Sequence, residues 1–258
     1  IYSNTTISNL TLTAANGSGL IAGGAIYSNS TLRLDNVVIN NATASLGGAI
    51  YQNGGYANLN SSTLGNAIYV TGQANLTITG GSIAGPLAID SGNVITVTNY
   101  GQALQLGQIS ARSLTVNLLS GAITQATGTN VTVSGAANFA SAGSGTNGNI
   151  NLGNTTNNFY TTGSISASGT NITIENANAT TLGRINDANL TVNSSGGNIT
   201  QATGTNLTVS GTANLIANGN QVQLTNATNS FGCLILSSSQ VDLNTNGVLS
   251  LGSVNTVT

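Results

Sequence analysis

Arg33, Arg112, Arg184, Asp35, Asp90, Glu175, Asp187 and Asp242 are all the charged side chains in 258 residues, and there is no Lys or His. Carboxylates work as general acid and base when two of them flank one scissile bond, or when a basic proton acceptor stands close by. Here the five acids are scattered along the chain, so no catalytic residue is assigned and no enzyme is expected. Arg33 and Asp35 stand two apart, on one face of a strand, and Arg184 and Asp187 are near neighbours. Both pairs read as surface ion pairs of small energetic weight. One cysteine and no histidine cannot complete a four-ligand zinc site, and the Gly-Gly-x-Gly-x-Asp calcium repeat is absent. Neither metal nor cofactor is expected. Cys233, with no second cysteine to bond, reads as a small buried residue. A net charge of −2 supplies no basic footprint for nucleic acid or an anionic membrane. No apolar run approaches a membrane span, so neither nucleic acid binding nor membrane insertion is expected.

The remaining candidates are polar and aromatic. Tyr27, Tyr51 and Tyr69 follow Gly23-Gly-Ala-Ile, Gly47-Gly-Ala-Ile and Gly65-Asn-Ala-Ile. Equivalent places in successive turns of a repeat would stack these rings; a sugar-binding aromatic strip is the alternative. Threonines recur between pairs of apolar residues at Thr77, Thr96, Thr115, Thr132, Thr173, Thr191 and Thr208, and they are expected to form one outward polar ladder. Arg33, Asn58, Asn151, Gln223 and Asp242 interrupt that series, which argues against a flat ice-binding array. Asn4, Asn130 and Asn206 open Asn-x-Ser/Thr sequons and read as turn and ladder residues.

Strands must position these groups. Leu76-Thr-Ile78, Ile95-Thr-Val97, Leu114-Thr-Val116, Val131-Thr-Val133, Ile172-Thr-Ile174, Leu190-Thr-Val192 and Leu207-Thr-Val209 alternate apolar and polar. Most such triplets follow one another at roughly 17–22 residues, the length of one coil in a repeat architecture. Period-two alternation means strands with one buried face. Gly, Asn and Ser between them tolerate positive φ and turn corners. No useful helical period occurs. The chain also repeats itself: positions 121–139, GAITQATGTNVTVSGAANF, return at 197–215 as GNITQATGTNLTVSGTANL. A third copy opens at Leu251-Gly252. Such repetition specifies a solenoid whose units bury their apolar face only by stacking. The expectation is an all-β, right-handed parallel β-helix (a β-solenoid) with negligible helix and about 13 coils, roughly 60 Å long at ~4.8 Å per coil. It divides into region 1–90, with the Gly-Gly-Ala-Ile-Tyr repeats, and region 91–258, with the long repeats just quoted. The two are continuous across Gly85-Pro86, the chain's one proline.

Gly-Ala-Ile-Thr-Gln, Asn-Leu-Thr-Val and Thr-Leu-Gly in the second region resemble the repeats of filamentous-haemagglutinin-type bacterial adhesins. The Gly-Gly-Ala-Ile motif of the first is similar to that of polymorphic autotransporter passengers, without their Phe-x-x-Asn tetrapeptide. The resemblance implies a right-handed β-helix, secreted or on a bacterial surface, serving adhesion, filament or matrix formation, with host or matrix glycans or proteins as ligands. The chain opens on Ile1, so a mature or excised piece is expected, with any signal peptide outside it. Neither end carries a charged or helical cap. Ile1, Tyr2, Val257 and Thr258 are therefore candidate end-to-end contacts, and copies of the chain itself, head to tail, are the expected partner. A carbohydrate-binding or carbohydrate-cleaving β-helix is the alternative reading.

Overall fold

The computed structural model describes residues 1–13, 23–160 and 162–256. It is an all-β parallel solenoid of about 11 turns, and its one helical element among the described residues is a short 3-10 turn, Gly145–Gly148. The construction follows from alternation. In Leu32–Asp35 and Ala74–Thr79 every second residue is buried and those between face outward. The register then stacks like on like. Leu32, Ala57, Leu76, Ile95, Leu114, Ala137, Ile165 and Leu182 lie one above another in eight successive coils. Leu114, Val116, Val131, Val133, Ile172, Ile174, Leu190, Val192, Leu207 and Val209 all belong to one continuous buried cluster. Each such side chain contributes roughly 1.5–3 kcal/mol by leaving water.

The corners are set by residues that accept a left-handed backbone. Asn9, Asn36, Ser61 and Gly80 all have φ between 47° and 68°, and they stack at one corner, each bonded to the strand end of the coil above. The Asn36 amide donates to the Asn9 side-chain carbonyl at 2.9 Å. Asparagine tolerates this conformation because its short side chain bonds locally. Beyond that corner the first region carries a second, small parallel sheet: Thr11–Thr13, Val38–Asn40, Thr63–Leu64 and Ser82–Ile83. The sheet ends at a side chain. Tyr100 is fully buried; its hydroxyl accepts from the Ile83 N–H at 2.6 Å and donates to the Ile83 carbonyl at 3.4 Å. One phenol thus takes the place of a fifth strand. Meanwhile the large sheet runs on across residue 90, because Leu87–Tyr100 pairs both with Ile68–Val70 and with Leu104–Leu118.

The coil count is lower than the spacing of triplets suggests. In the second region successive triplets do not sit on successive coils of one face. Leu114-Thr-Val116 pairs with Ala137-Asn-Phe139, whereas Val131-Thr-Val133 pairs with Ile109-Ser-Ala111. One full turn here runs from Thr115 to Asn138, and the next, which is longer, from Asn138 to Ser166.

Candidate functional site

The outward threonines fall into separate columns, which corrects the single ladder. Thr77, Thr96 and Thr115 follow Arg33 and Asn58 and lead to Asn138 and Ser166. Thr132 stands between Ser110 and Asn158 on another face. Thr173 and Thr191 continue Asn151 toward Asn214. Thr208 lies between Asn186 and Ser230. All seven are partly exposed. The variable turn length moves each triplet onto whichever face it reaches.

Tyr27, Tyr51 and Tyr69 are brought together. Their centroids are 5.3 Å apart in both steps, with interplanar angles of 6° and 20°. These contacts cover both faces of Tyr51 and one face each of Tyr27 and Tyr69, so most of the stack is closed to a sugar. Burial, with help from Asp90 and Tyr51, holds the Tyr69 phenol above its ordinary range. The end residues behave differently from one another. The Ile1 ammonium donates to the Tyr27 carbonyl at 2.7 Å, and its side chain packs on the core. Tyr2 is 83% exposed. Val257 and Thr258 lie outside the described residues.

The acids stay on different coils. Asp35 pairs with Arg33 at 2.7 Å and accepts from Asn60, which holds its carboxyl below the usual range. Asp90 accepts from the Thr71 hydroxyl, and Glu175 from the Asn193 amide. The expected Arg184–Asp187 pair does not form. The two are three positions apart on one strand, so Arg184 points out and Asp187 points in. Asp187 is 6% exposed, and both of its carboxylate oxygens lack a hydrogen-bond partner. Burial pushes its pKa up to about 7. Cys233 is likewise not a core residue: it is half-buried and sits in register with Thr212.

What the repeat carries is an amide clamp inside a corner. Gln125 donates to the Asn157 carbonyl at 2.7 Å and Asn157 donates back to Gln125 at 3.0 Å. Asn157 also accepts from the Val131 N–H at 2.8 Å and donates to the Leu152 carbonyl at 3.1 Å. The second copy repeats each bond: Gln201 with Asn229 at 2.7 and 2.9 Å, the Leu207 N–H at 3.0 Å, and the Leu224 carbonyl at 3.3 Å. A companion asparagine, Asn154 or Asn226, donates to two turn carbonyls in each copy. Buried backbone groups at an irregular corner need such partners. In sequence alone these residues stand among the generic polar groups of turns. A signal is present all the same, since Gln125 returns as Gln201 and Asn157 as Asn229 in the second copy.

A stack of parallel coils with a duplicated internal amide clamp defines a β-solenoid repeat protein. A family described as "Repeats of unknown function (DUF5649)" matches residues 91–166 and 169–238, together more than half of the chain. The protein belongs to that family. The two matched segments coincide with the two clamp-bearing copies. No curated protein and no solved structure matches the chain.

Proposed function

We propose that this protein is an extracellular structural and adhesive rod, a stalk or filament on a bacterial surface, lengthened by end-to-end stacking of coils. One observation carries the reading. The same clamp recurs in the same register two times, and each coil between bonds to the coil before it and the coil after it. A coil of this design presents one bonding pattern on both of its edges and so serves as a template for another. A second copy of the chain supplies that next coil head to tail, a heterologous contact that extends instead of closing. The dispersal of the acidic side chains over different coils fits a scaffold better than a reaction centre.

The test is light scattering with negative-stain electron microscopy on the full chain over a concentration series. The expected outcome is particles that lengthen with concentration at constant width. A stable monomer at high concentration, with ordered terminal coils, would overturn end-to-end assembly.

A further inference from the structure

Two hollows on the outer face of the rod share one wall, Tyr160. On one side, a groove of about 230 Å³ runs from Tyr160 past Ser134, Thr132 and Ser110 to Arg112. On the other, a hollow of about 490 Å³ is lined by Asn158, Asn178 and Gly196. The register explains the arrangement. Ser110, Thr132 and Asn158 form one outward column, and the Asn178 amide extends it by donating to Asn158 at 2.8 Å. Arg112, Ser134 and Tyr160 stand two positions further along the chain from these three and form a second column beside the first. A row of hydroxyls and amides therefore runs parallel to a row that begins with a cation and ends with an aromatic ring.

Among the described residues, no side chain stacks on or ion-pairs with either end of that second row. Tyr160 is 47% exposed, and among the described residues no other ring stacks on it. In this it differs from Tyr27, Tyr51 and Tyr69, each of which has at least one face covered by a neighbouring ring. Arg112 is exposed, and the ion pair among the described residues is Arg33 with Asp35. Asp90, next in sequence to a residue of this groove, turns to Thr71. An uncovered π-face accepts the slightly positive C–H face of a pyranose ring. A free guanidinium fork takes a carboxylate through two parallel bonds. Two coils separate Arg112 from Tyr160, about 10 Å, which is the reach of two linked sugars.

We propose that this groove binds an acidic oligosaccharide, with one sugar ring on Tyr160, a neighbouring sugar's carboxylate on Arg112, and ring hydroxyls on Ser110, Thr132 and Asn158. A peptide fits less well. The strand Val131–Val133 is already bonded to the coils on both sides, which leaves no edge for strand addition. The groove also has hydroxyls where a peptide would need apolar anchor pockets. The site needs no assembly of the rod and stands apart from it.

Calorimetric titration tests this with three probes: tetragalacturonate, its methyl ester and hexaglutamate. Tetragalacturonate should bind at least tenfold more tightly than the ester. Arg112→Gln should bring it down to the ester's affinity, while Tyr160→Ala should weaken both sugars about tenfold, or ~1.4 kcal/mol. Arg184→Gln, at another exposed arginine without an ion-pair partner among the described residues, should change nothing. Circular dichroism of each variant should match the parent, since all three side chains are exposed. The proposal is overturned if neither sugar binds at millimolar concentration, if acid and ester bind alike, if Arg112→Gln has no effect, or if hexaglutamate binds as tightly as tetragalacturonate.

Discussion

The two repeat copies share their strand register and a clamp, yet they differ in chemistry at one strand. Leu106-Gly-Gln-Ile-Ser-Ala111 in the first copy is Leu182-Gly-Arg-Ile-Asn-Asp187 in the second. Outside, Gln108 accepts from the Asn130 N–H at 2.9 Å, while Arg184 meets no carboxylate among the described residues. Inside, Ala111 is a small core residue and Asp187 a buried carboxylate without hydrogen bonds. Both strands nonetheless keep the same pairing with the next coil: Ile109 with Val131 and Ile185 with Leu207. The lesson is that backbone ladder and clamp fix the coil. A single inward position can carry a costly group because every neighbouring contact over-determines its place.

That comparison breaks hardest at a wall position of the tube. Val192→Asp should cost several kcal/mol by burying an unpaired charge, whereas Thr191→Asp beside it should stay within about 0.5 kcal/mol, as surface changes do. Hydrogen exchange of the flanking coils reads both, with strong loss of protection in the first and near-parent protection in the second. Equal tolerance would mean that the inside and outside of this strand have been exchanged.

Exchanging the differing residues sharpens it. Asp187 has a folded pKa of about 7, above its ordinary value of 3.8. The folded state holds the proton more tightly than the unfolded one, so stability is greatest below about pH 4 and falls as pH rises toward 7. The shift corresponds to no more than about 4 kcal/mol. Asp187→Ala should flatten this fall, and Ala111→Asp should introduce one into the first copy. Thermal unfolding followed from pH 4 to 8 checks both. An unchanged slope in Asp187→Ala would show that the carboxylate finds a partner in solution.

The clamp should respond alike in both copies. Asn157→Ala and Asn229→Ala each leave a buried backbone N–H, that of Val131 or Leu207, without its acceptor and remove the amide bonds to the half-buried glutamine, which keeps its bond to the turn carbonyl. The orphaned N–H costs about 1–3 kcal/mol. The two variants should lose protection locally and agree within about 1 kcal/mol, each confined to its own copy. A clearly smaller loss in one copy would mean that water or another side chain fills the gap there.

Much of the buried set is legible in the sequence, because strict alternation at Leu114, Val116, Leu190 and Val192 dictates which side chains turn inward. The face on which each triplet lies is not. Turn length sets it, and neither the short turn between Thr77 and Thr96 nor the long one between Asn138 and Ser166 leaves a mark in a local pattern. The tyrosine stack follows from three like motifs, Gly-Gly-Ala-Ile-Tyr twice and Gly-Asn-Ala-Ile-Tyr once. The clamp does not, because Gln125 and Asn157 are far apart in the chain and meet only when a full turn has closed. Arg184 and Asp187 look like a pair when closeness in sequence stands for closeness in space. Odd separations along a strand place side chains on opposite faces.

Tyr100 has a mechanical consequence. Under tension applied at the C-terminal end, the coils of the second region give way one after another, each held mainly by the ladder to the coil before it. At Leu87–Tyr100 the load meets a different joint. Releasing that segment breaks the large sheet and also withdraws a phenol from the last strand of the small one, Ser82–Ile83. Unzipping from that end therefore meets at Leu87–Tyr100 a joint held by a side chain as well as by the ladder.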